Sequence, residues 1–147
     1  MPDGDSSYGS SFEDIMGNFR YRSQFQYSFA GQPVNIFAQV SIGASGAPTI
    51  VSNTGMGISS IVRNSAGKYT ITFTNTFATL LDFNVGFISG ASAPAAPGVN
   101  IVTNGVTVAA APIIAFQCRN SSGVATDPAS GEVLLIQVQM DRSSVGN

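Results

Sequence analysis

Residues 57–77, GISSIVRNSAGKYTITFTNTF, constrain the fold more than any other part of the sequence. In the second half, the apolar side chains of Tyr69, Ile71 and Phe73 alternate with lysine and threonine. This alternation predicts a β-strand with one buried and one solvated face. The preceding residues 64–67 end in Gly67, which tolerates the positive φ that many hairpin loops need. We therefore predict a β-hairpin here.

Other segments of the chain show the same alternation and are also predicted to be strands. Asn104-Gly105 is typical of a two-residue hairpin loop, which predicts that the strands on either side of it pair. Gly86 lies inside a predicted strand and is expected to mark a bulge or a close approach. The last two strands are predicted to pair across a loop at residues 120–131. The predicted strands outside the first hairpin are residues 19–29, 34–42, 49–52, 80–88, 99–103, 106–109, 113–119 and 132–142.

The number and spacing of these segments predict the fold class. Roughly eight to ten short strands follow one another, with turn residues between them and no convincing helix. Residues 89–98, SGASAPAAPG, are predicted to be a long surface loop within the domain. The pattern favours a single all-β domain, a β-sandwich or jelly roll, over any helical or βαβ fold.

Composition bounds the size and the surface of this domain. The 147 residues suffice for one domain with a long arm. Only 10% of the residues are charged, whereas about a quarter is usual in soluble domains. So little charge predicts that other subunits cover much of the surface.

The N-terminal residues differ from the rest and predict an arm. Residues 1–18 are small and polar with four carboxylates, which is typical of a disordered tail or of an arm that orders on a neighbouring subunit. In residues 19–29, FRYRSQFQYSF, five aromatic residues occupy odd-numbered positions, and the even-numbered positions are all polar. A strand here would have five rings on one face and only polar side chains on the other. We divide the chain into an arm at residues 1–33 and a β-sandwich or jelly-roll domain at residues 34–147.

The aromatic side chains of the arm are the candidate partner-binding site. Their strand could be a core strand of the domain, or a strip that docks onto a partner, where each ring can bury about 150–250 Å². Stacking on single-stranded nucleic acid is disfavoured, because the chain is acidic and has no basic run. The candidate residues are Phe12, Phe19, Tyr21, Phe25, Tyr27 and Phe29.

The sequence contains no recognisable catalytic or metal-binding motif. Without histidine, neither a Ser-His-Asp triad nor a histidine metal site can form. Cys118 is the only cysteine, so an internal disulfide is excluded, and its apolar strand predicts a buried thiol. The net charge of −2 disfavours nucleic acid as a partner. No apolar run approaches the roughly 20 residues that span a bilayer. We expect a non-enzymatic protein that needs no cofactor and is not bound to a membrane.

Two segments resemble small structural proteins of tailed bacteriophages. Residues 57–77 are similar to a hairpin that recurs in these proteins, and residues 114–140, with IAFQCRNSSG, TDPASG and EVLLIQVQM, resemble their C-terminal hairpin. Together the segments cover about a third of the chain. The first 33 residues have no such match.

The resemblance implies a virion protein assembled in the host cytoplasm. The chain is similar to head decoration, or cement, proteins. This similarity implies a homo-oligomer, with a trimer favoured, that binds the major capsid protein and stabilises the head. The alternative is a tail, baseplate or fibre component, which could bind a receptor. The resemblance carries over no catalytic residue.

Overall fold

The computed structural model describes residues 33–141, except residues 55–56 and 91–92. In this part of the chain, eight strands form two antiparallel sheets of four strands each. A 3-10 turn at Ala44–Gly46 connects the first two strands. The predicted all-β, sandwich-like domain is confirmed. The strands are β1 Val34–Ile42, β2 Pro48–Thr54, β3 Ile58–Ser65, β4 Lys68–Phe73, β5 Thr79–Ile88, β6 Gly98–Gly105, β7 Ile113–Arg119 and β8 Val133–Asp141.

The strand order brings distant parts of the chain together. Sheet A has the order β2-β1-β8-β5, and sheet B has the order β3-β4-β7-β6. Three pairs are local hairpins: β1 with β2, β3 with β4, and β6 with β7. The first and last strands, β1 and β8, pair along almost their whole length in the middle of sheet A. The domain is therefore closed by its most distant strands.

The core lies between the sheets and is formed by the apolar side chains at every second position of the strands. In β1 every second side chain from Ile36 onward is buried, and β8 repeats this pattern. In sheet B the Tyr69 ring stacks on Phe116 with centroids 5.5 Å apart. Phe83 of sheet A contacts the same Phe116 ring at 5.5 Å, so one ring joins both sheets. Full burial of a large apolar side chain contributes about 1.5–3 kcal/mol.

The predicted hairpin at residues 57–77 is confirmed. Strands β3 and β4 pair from Ile58 with Phe73 to Ser65 with Lys68, so Ala66 and Gly67 form the loop. Gly67 has φ of +69°, the left-handed value that glycine adopts most readily. The predicted apolar face is buried as well: Tyr69, Ile71 and Phe73 are at most 2% exposed.

The hairpin predicted around Asn104-Gly105 is wrong. Both residues belong to β6, which continues to Gly105 and pairs with β7. The turn comes later: Val106 is 1% exposed, and its backbone N–H donates to the side-chain oxygen of Asn104. Burial of Val106 and pairing with β7 thus outweigh the local turn preference.

The predicted pairing of the last two strands is also wrong. Both strands exist, as β7 and β8, but β7 pairs with β4 and β6, whereas β8 pairs with β1 and β5. The loop at residues 120–132 crosses from sheet B to sheet A. Alternation identifies a strand and its buried face, but it does not identify the neighbouring strand.

Strand β5 has the predicted faces but its bulge lies elsewhere. Phe83, the first of its predicted apolar residues, is half-buried, and Asp82 is exposed. Gly86 pairs in register with Leu135, and the shift in register lies between Leu80 and Asp82. A methyl group on Gly86 would lie 3.5 Å from the Leu135 Cβ, an ordinary contact. The prediction that Gly86 marks a bulge or a close approach is therefore wrong.

Candidate functional site

The arm residues predicted to bind a partner lie outside the part of the chain that the structure describes. The same holds for the predicted strand at residues 19–29. The partner-binding role of these side chains therefore stays a prediction. The residues concerned are Phe12, Phe19, Tyr21, Phe25, Tyr27 and Phe29.

Within the described residues, the outer side of sheet A is the most distinctive surface. Antiparallel pairing places side chains of β1, β8 and β5 in rows across this side. Gln137 pairs with Phe37 on one side and with Asn84 on the other. Leu135 lies one row away, opposite Gln39 and Gly86. We call three rows the amide face: Asn35–Gln139–Asp82, Phe37–Gln137–Asn84 and Gln39–Leu135–Gly86.

The amide face combines uncharged polar groups with apolar area. Of the residues that define it, only Asp82 carries a charge. Its centre contains a shallow cleft of about 430 Å³, which Phe37, Leu135 and Gln137 help to line. Each amide offers both donors and acceptors, so such a face can pair with backbone groups or with other amides. Depletion of charge at the centre of a patch is typical of protein–protein interfaces.

A polar cluster at one end of the sandwich joins three separate segments through Asp127. Oδ1 of Asp127 accepts from the Arg63 Nε (3.0 Å) and from the Gly67 backbone N–H (2.7 Å), and Oδ2 accepts from the second guanidinium nitrogen (2.7 Å). The Tyr69 hydroxyl lies 3.1 Å from Asp127 Oδ1 and 3.1 Å from the Gly46 carbonyl oxygen. We call Gly46, Arg63, Gly67, Tyr69 and Asp127 the latch.

The protonation states in and beside the latch favour a structural role. The hydrogen bond from Arg63 lowers the pKa of the Asp127 carboxyl, and the Gly67 N–H acts in the same direction. Burial raises the pKa of the Tyr69 phenol, and the nearby Asp127 charge adds to this. Burial likewise raises the pKa of the Cys118 thiol to about 12. At neutral pH, Asp127 is ionised, whereas Tyr69 and Cys118 hold their protons.

Glu132 is a buried carboxylate that holds a second loop. It is 3% exposed and lies just before β8. Oε1 accepts from the Ser89 hydroxyl and the Ala95 backbone N–H, both at 3.0 Å, and Oε2 accepts from the Ala129 N–H at 2.8 Å. These bonds fix the loop after β5 to the start of β8.

Sequence reasoning missed the roles of Asp127 and Glu132. Both lie outside regular strands, and their partners are up to 64 residues away. The available signal was the proline-containing segment TDPASGE, which places both acids in one loop between two apolar strands. This signal marks a loop but not the contacts that the loop makes.

The part of the chain that the structure describes shows neither a metal-ion cluster nor a membrane-spanning helix. Among the described residues, no group of three or more histidine, cysteine, aspartate or glutamate side chains is arranged to hold a metal ion. The same residues contain no helix long and apolar enough to cross a membrane.

Comparison with known proteins identifies no relative. No protein-family model matches the chain, and no curated protein or solved structure is significantly similar to it.

Proposed function

We propose that this chain is a structural protein of a tailed-bacteriophage virion that decorates the head. It binds major capsid protein subunits, stabilises the shell and acts as a homo-oligomer, with a trimer favoured. It performs no enzymatic reaction. The amide face is the observation that carries this proposal, because a broad, charge-poor face on a rigid sheet suits a contact that is repeated over a shell.

Two further observations support a binding role over a catalytic one. Among the described residues, the two acids outside the sheets are Asp127 and Glu132, and their carboxylate oxygens accept hydrogen bonds that hold loops. Cys118 is fully buried, which removes its thiol from reach of a substrate. The proposal of a phage virion rests on the resemblance of residues 57–77 and 114–140 to phage structural proteins. The aromatic arm adds a contact to a neighbouring subunit, and modest affinity per copy is multiplied over many copies.

Capsid co-sedimentation tests this proposal. Gln137→Arg places a charge at the centre of the amide face, and Val62→Arg places the same charge on sheet B, where Val62 is 52% exposed. We expect Gln137→Arg to weaken binding to undecorated capsids at least about tenfold, because a buried unpaired charge is costly at an interface. Val62→Arg should bind like the wild type. Equal binding by both variants would contradict a capsid contact at the amide face.

Copy number in purified particles separates the two virion roles. A head decoration protein is expected in hundreds of copies, and a tail, baseplate or fibre component in tens or fewer. Quantitative mass spectrometry against the major capsid protein measures this ratio. A low copy number would replace the decoration role with the tail role.

A further inference from the structure

One long side of the sandwich is incompletely covered in the part of the chain that the structure describes. Strand β5 ends sheet A and strand β6 ends sheet B on this side. The inward-facing apolar residues of β5 are only half-buried, although their partners on β8 are at most 2% exposed. The cross-strand pairs are Phe83–Val138, Val85–Ile136 and Phe87–Leu134.

Strand β6 shows the same imbalance on the other sheet. Ile101 is 42% exposed, whereas its partner Phe116 on β7 is fully buried. Val99 is half-buried opposite the fully buried Cys118. Between the two edges lies an open cleft of about 910 Å³. Its lining includes the apolar residues Phe83, Val85, Val99 and Ile101, and the polar residues Asn84, Asn100, Gln117 and Arg119. The core therefore extends to an edge where its apolar side chains lack cover.

The opposite side of the sandwich differs, because a hydrogen bond joins its two edge strands. There β2 and β3 end the two sheets and follow each other in the chain. The Asn53 side-chain N–H on β2 donates to the Ile58 carbonyl oxygen on β3 at 2.8 Å. Ile50 and Ile61 from these strands are partly buried and pack against the core, as the inward residues of β5 do.

We propose that residues 19–29 of a neighbouring copy of this chain add as a strand to the outer edge of β5 and close the cleft. An exposed edge strand is a template for such addition. The segment has eleven residues, and β5 has ten. Every pairing within the two sheets is antiparallel, and we assign the same direction to the added strand.

The side-chain pattern of the segment matches both sides of this edge. One parity carries five aromatic rings, which would enter the cleft beside Phe83 and Val85. The other parity carries Arg20 and Arg22, which would lie on the outer side of sheet A, where β5 presents Asp82. A one-residue slip would reverse both matches, so the pattern also specifies the face that the strand presents.

This inference deepens the proposed function by assigning the aromatic arm to contacts between copies. It rests on the proposed homo-oligomer but not on the identity of the particle. The contact between copies and the proposed capsid binding can fail separately, because strand exchange is measured on the isolated protein and capsid binding is measured on particles.

Crosslinking of two different single-site variants tests the proposal in the full-length protein. Gln24→Cys marks the polar parity of the arm, and Asn84→Cys marks the exposed outer side of β5. Mixed and treated with a short bis-maleimide, they should form a crosslinked dimer that contains one chain of each. The native Cys118 should not react, because it is fully buried. Phe25→Ala with Tyr27→Ala, added to the arm variant, should reduce this dimer at least about tenfold.

The controls make each result decisive. Wild-type protein mixed with either variant should give no mixed dimer, and Val62→Ala, on an exposed site of sheet B, should leave the yield unchanged. A third sample carries both cysteines in one chain. If this chain crosslinks within itself and the mixed single-site variants do not crosslink, the proposed exchange between copies is wrong. Absence of any crosslink at β5 in folded, oligomeric protein would overturn the docking site itself.

Discussion

The hydrogen bonds of Asp127 connect three parts of the chain: the turn at Gly46, the β3–β4 hairpin and the loop that contains Asp127 itself. Its carboxylate binds Arg63 of β3, the Gly67 N–H in the β3–β4 loop and the Tyr69 hydroxyl, which also reaches the Gly46 carbonyl. Arg63 and Asp127 are both partly exposed, so their ion pair alone contributes little. The Gly67 N–H is different, because Gly67 is buried and the Asp127 carboxylate is the acceptor for its N–H.

Replacement of Asp127 by alanine should therefore destabilise the domain. We expect a loss of about 1–3 kcal/mol, because a buried N–H is left without an acceptor. Asp127→Asn keeps an oxygen for this N–H and should lose less. Urea denaturation measures both, with Lys68→Ala as the control on an exposed side chain. Equal stability of Asp127→Ala and the wild type would show that the latch does not stabilise the fold.

The latch also predicts a dependence of stability on acid. The Arg63 guanidinium and the Gly67 N–H lower the pKa of Asp127 in the folded state. The stabilisation is therefore present above the unfolded pKa of about 4 and is lost as pH falls through the folded pKa. Urea midpoints from pH 7 to pH 2 should fall more for the wild type than for Asp127→Asn. Parallel curves would contradict this assignment.

At the scale of elements, local pattern predicted strands better than it predicted their partners. The bounds of β1 and the buried face of β4 follow directly from alternation. Alternation also identifies the outward residues of β1 and β8, and hence most of the amide face. It could not place β7 and β8 in different sheets, because both carry the same apolar pattern. The contacts of the latch could not be predicted from the sequence either, because Asp127 binds residues that lie near it only once β3 and β4 have folded.

Two glycines in predicted hairpins should respond differently to alanine. Gly67 has φ of +69°, and a methyl group there would lie 2.5 Å from the Thr126 nitrogen and 2.6 Å from the Cys118 carbonyl oxygen. Gly105 lies in β6, and a methyl group there would meet Ile113 at 3.5 Å. We expect Gly67→Ala to cost about 2–4 kcal/mol from strain and overlap, and Gly105→Ala to be nearly neutral. Thermal denaturation of both variants tests this. A large loss of stability in Gly105→Ala would favour the hairpin loop predicted at Asn104-Gly105.

At the scale of the whole molecule, Phe116 connects the two sheets. It is fully buried, stacks on Tyr69 and contacts Phe83 of sheet A. Phe116→Ala should cost about 3–5 kcal/mol, a large part of the roughly 5–15 kcal/mol that stabilises a typical domain. Calorimetry should show a much lower melting temperature, with Val62→Ala unchanged as the control. A small shift would mean that the core collapses to fill the cavity.

The pairing of β1 with β8 has a consequence for synthesis. Val34 lies opposite Met140, so sheet A depends on a contact between residues separated by about a hundred positions, which makes its formation slow. On the ribosome, β1 must wait for β8 to emerge, whereas the β3–β4 and β6–β7 hairpins can form earlier from neighbouring residues. A nascent chain that stalls before residue 133 leaves β1 and β5 without the strand between them. Such unpaired edges favour aggregation, so premature termination should yield insoluble fragments.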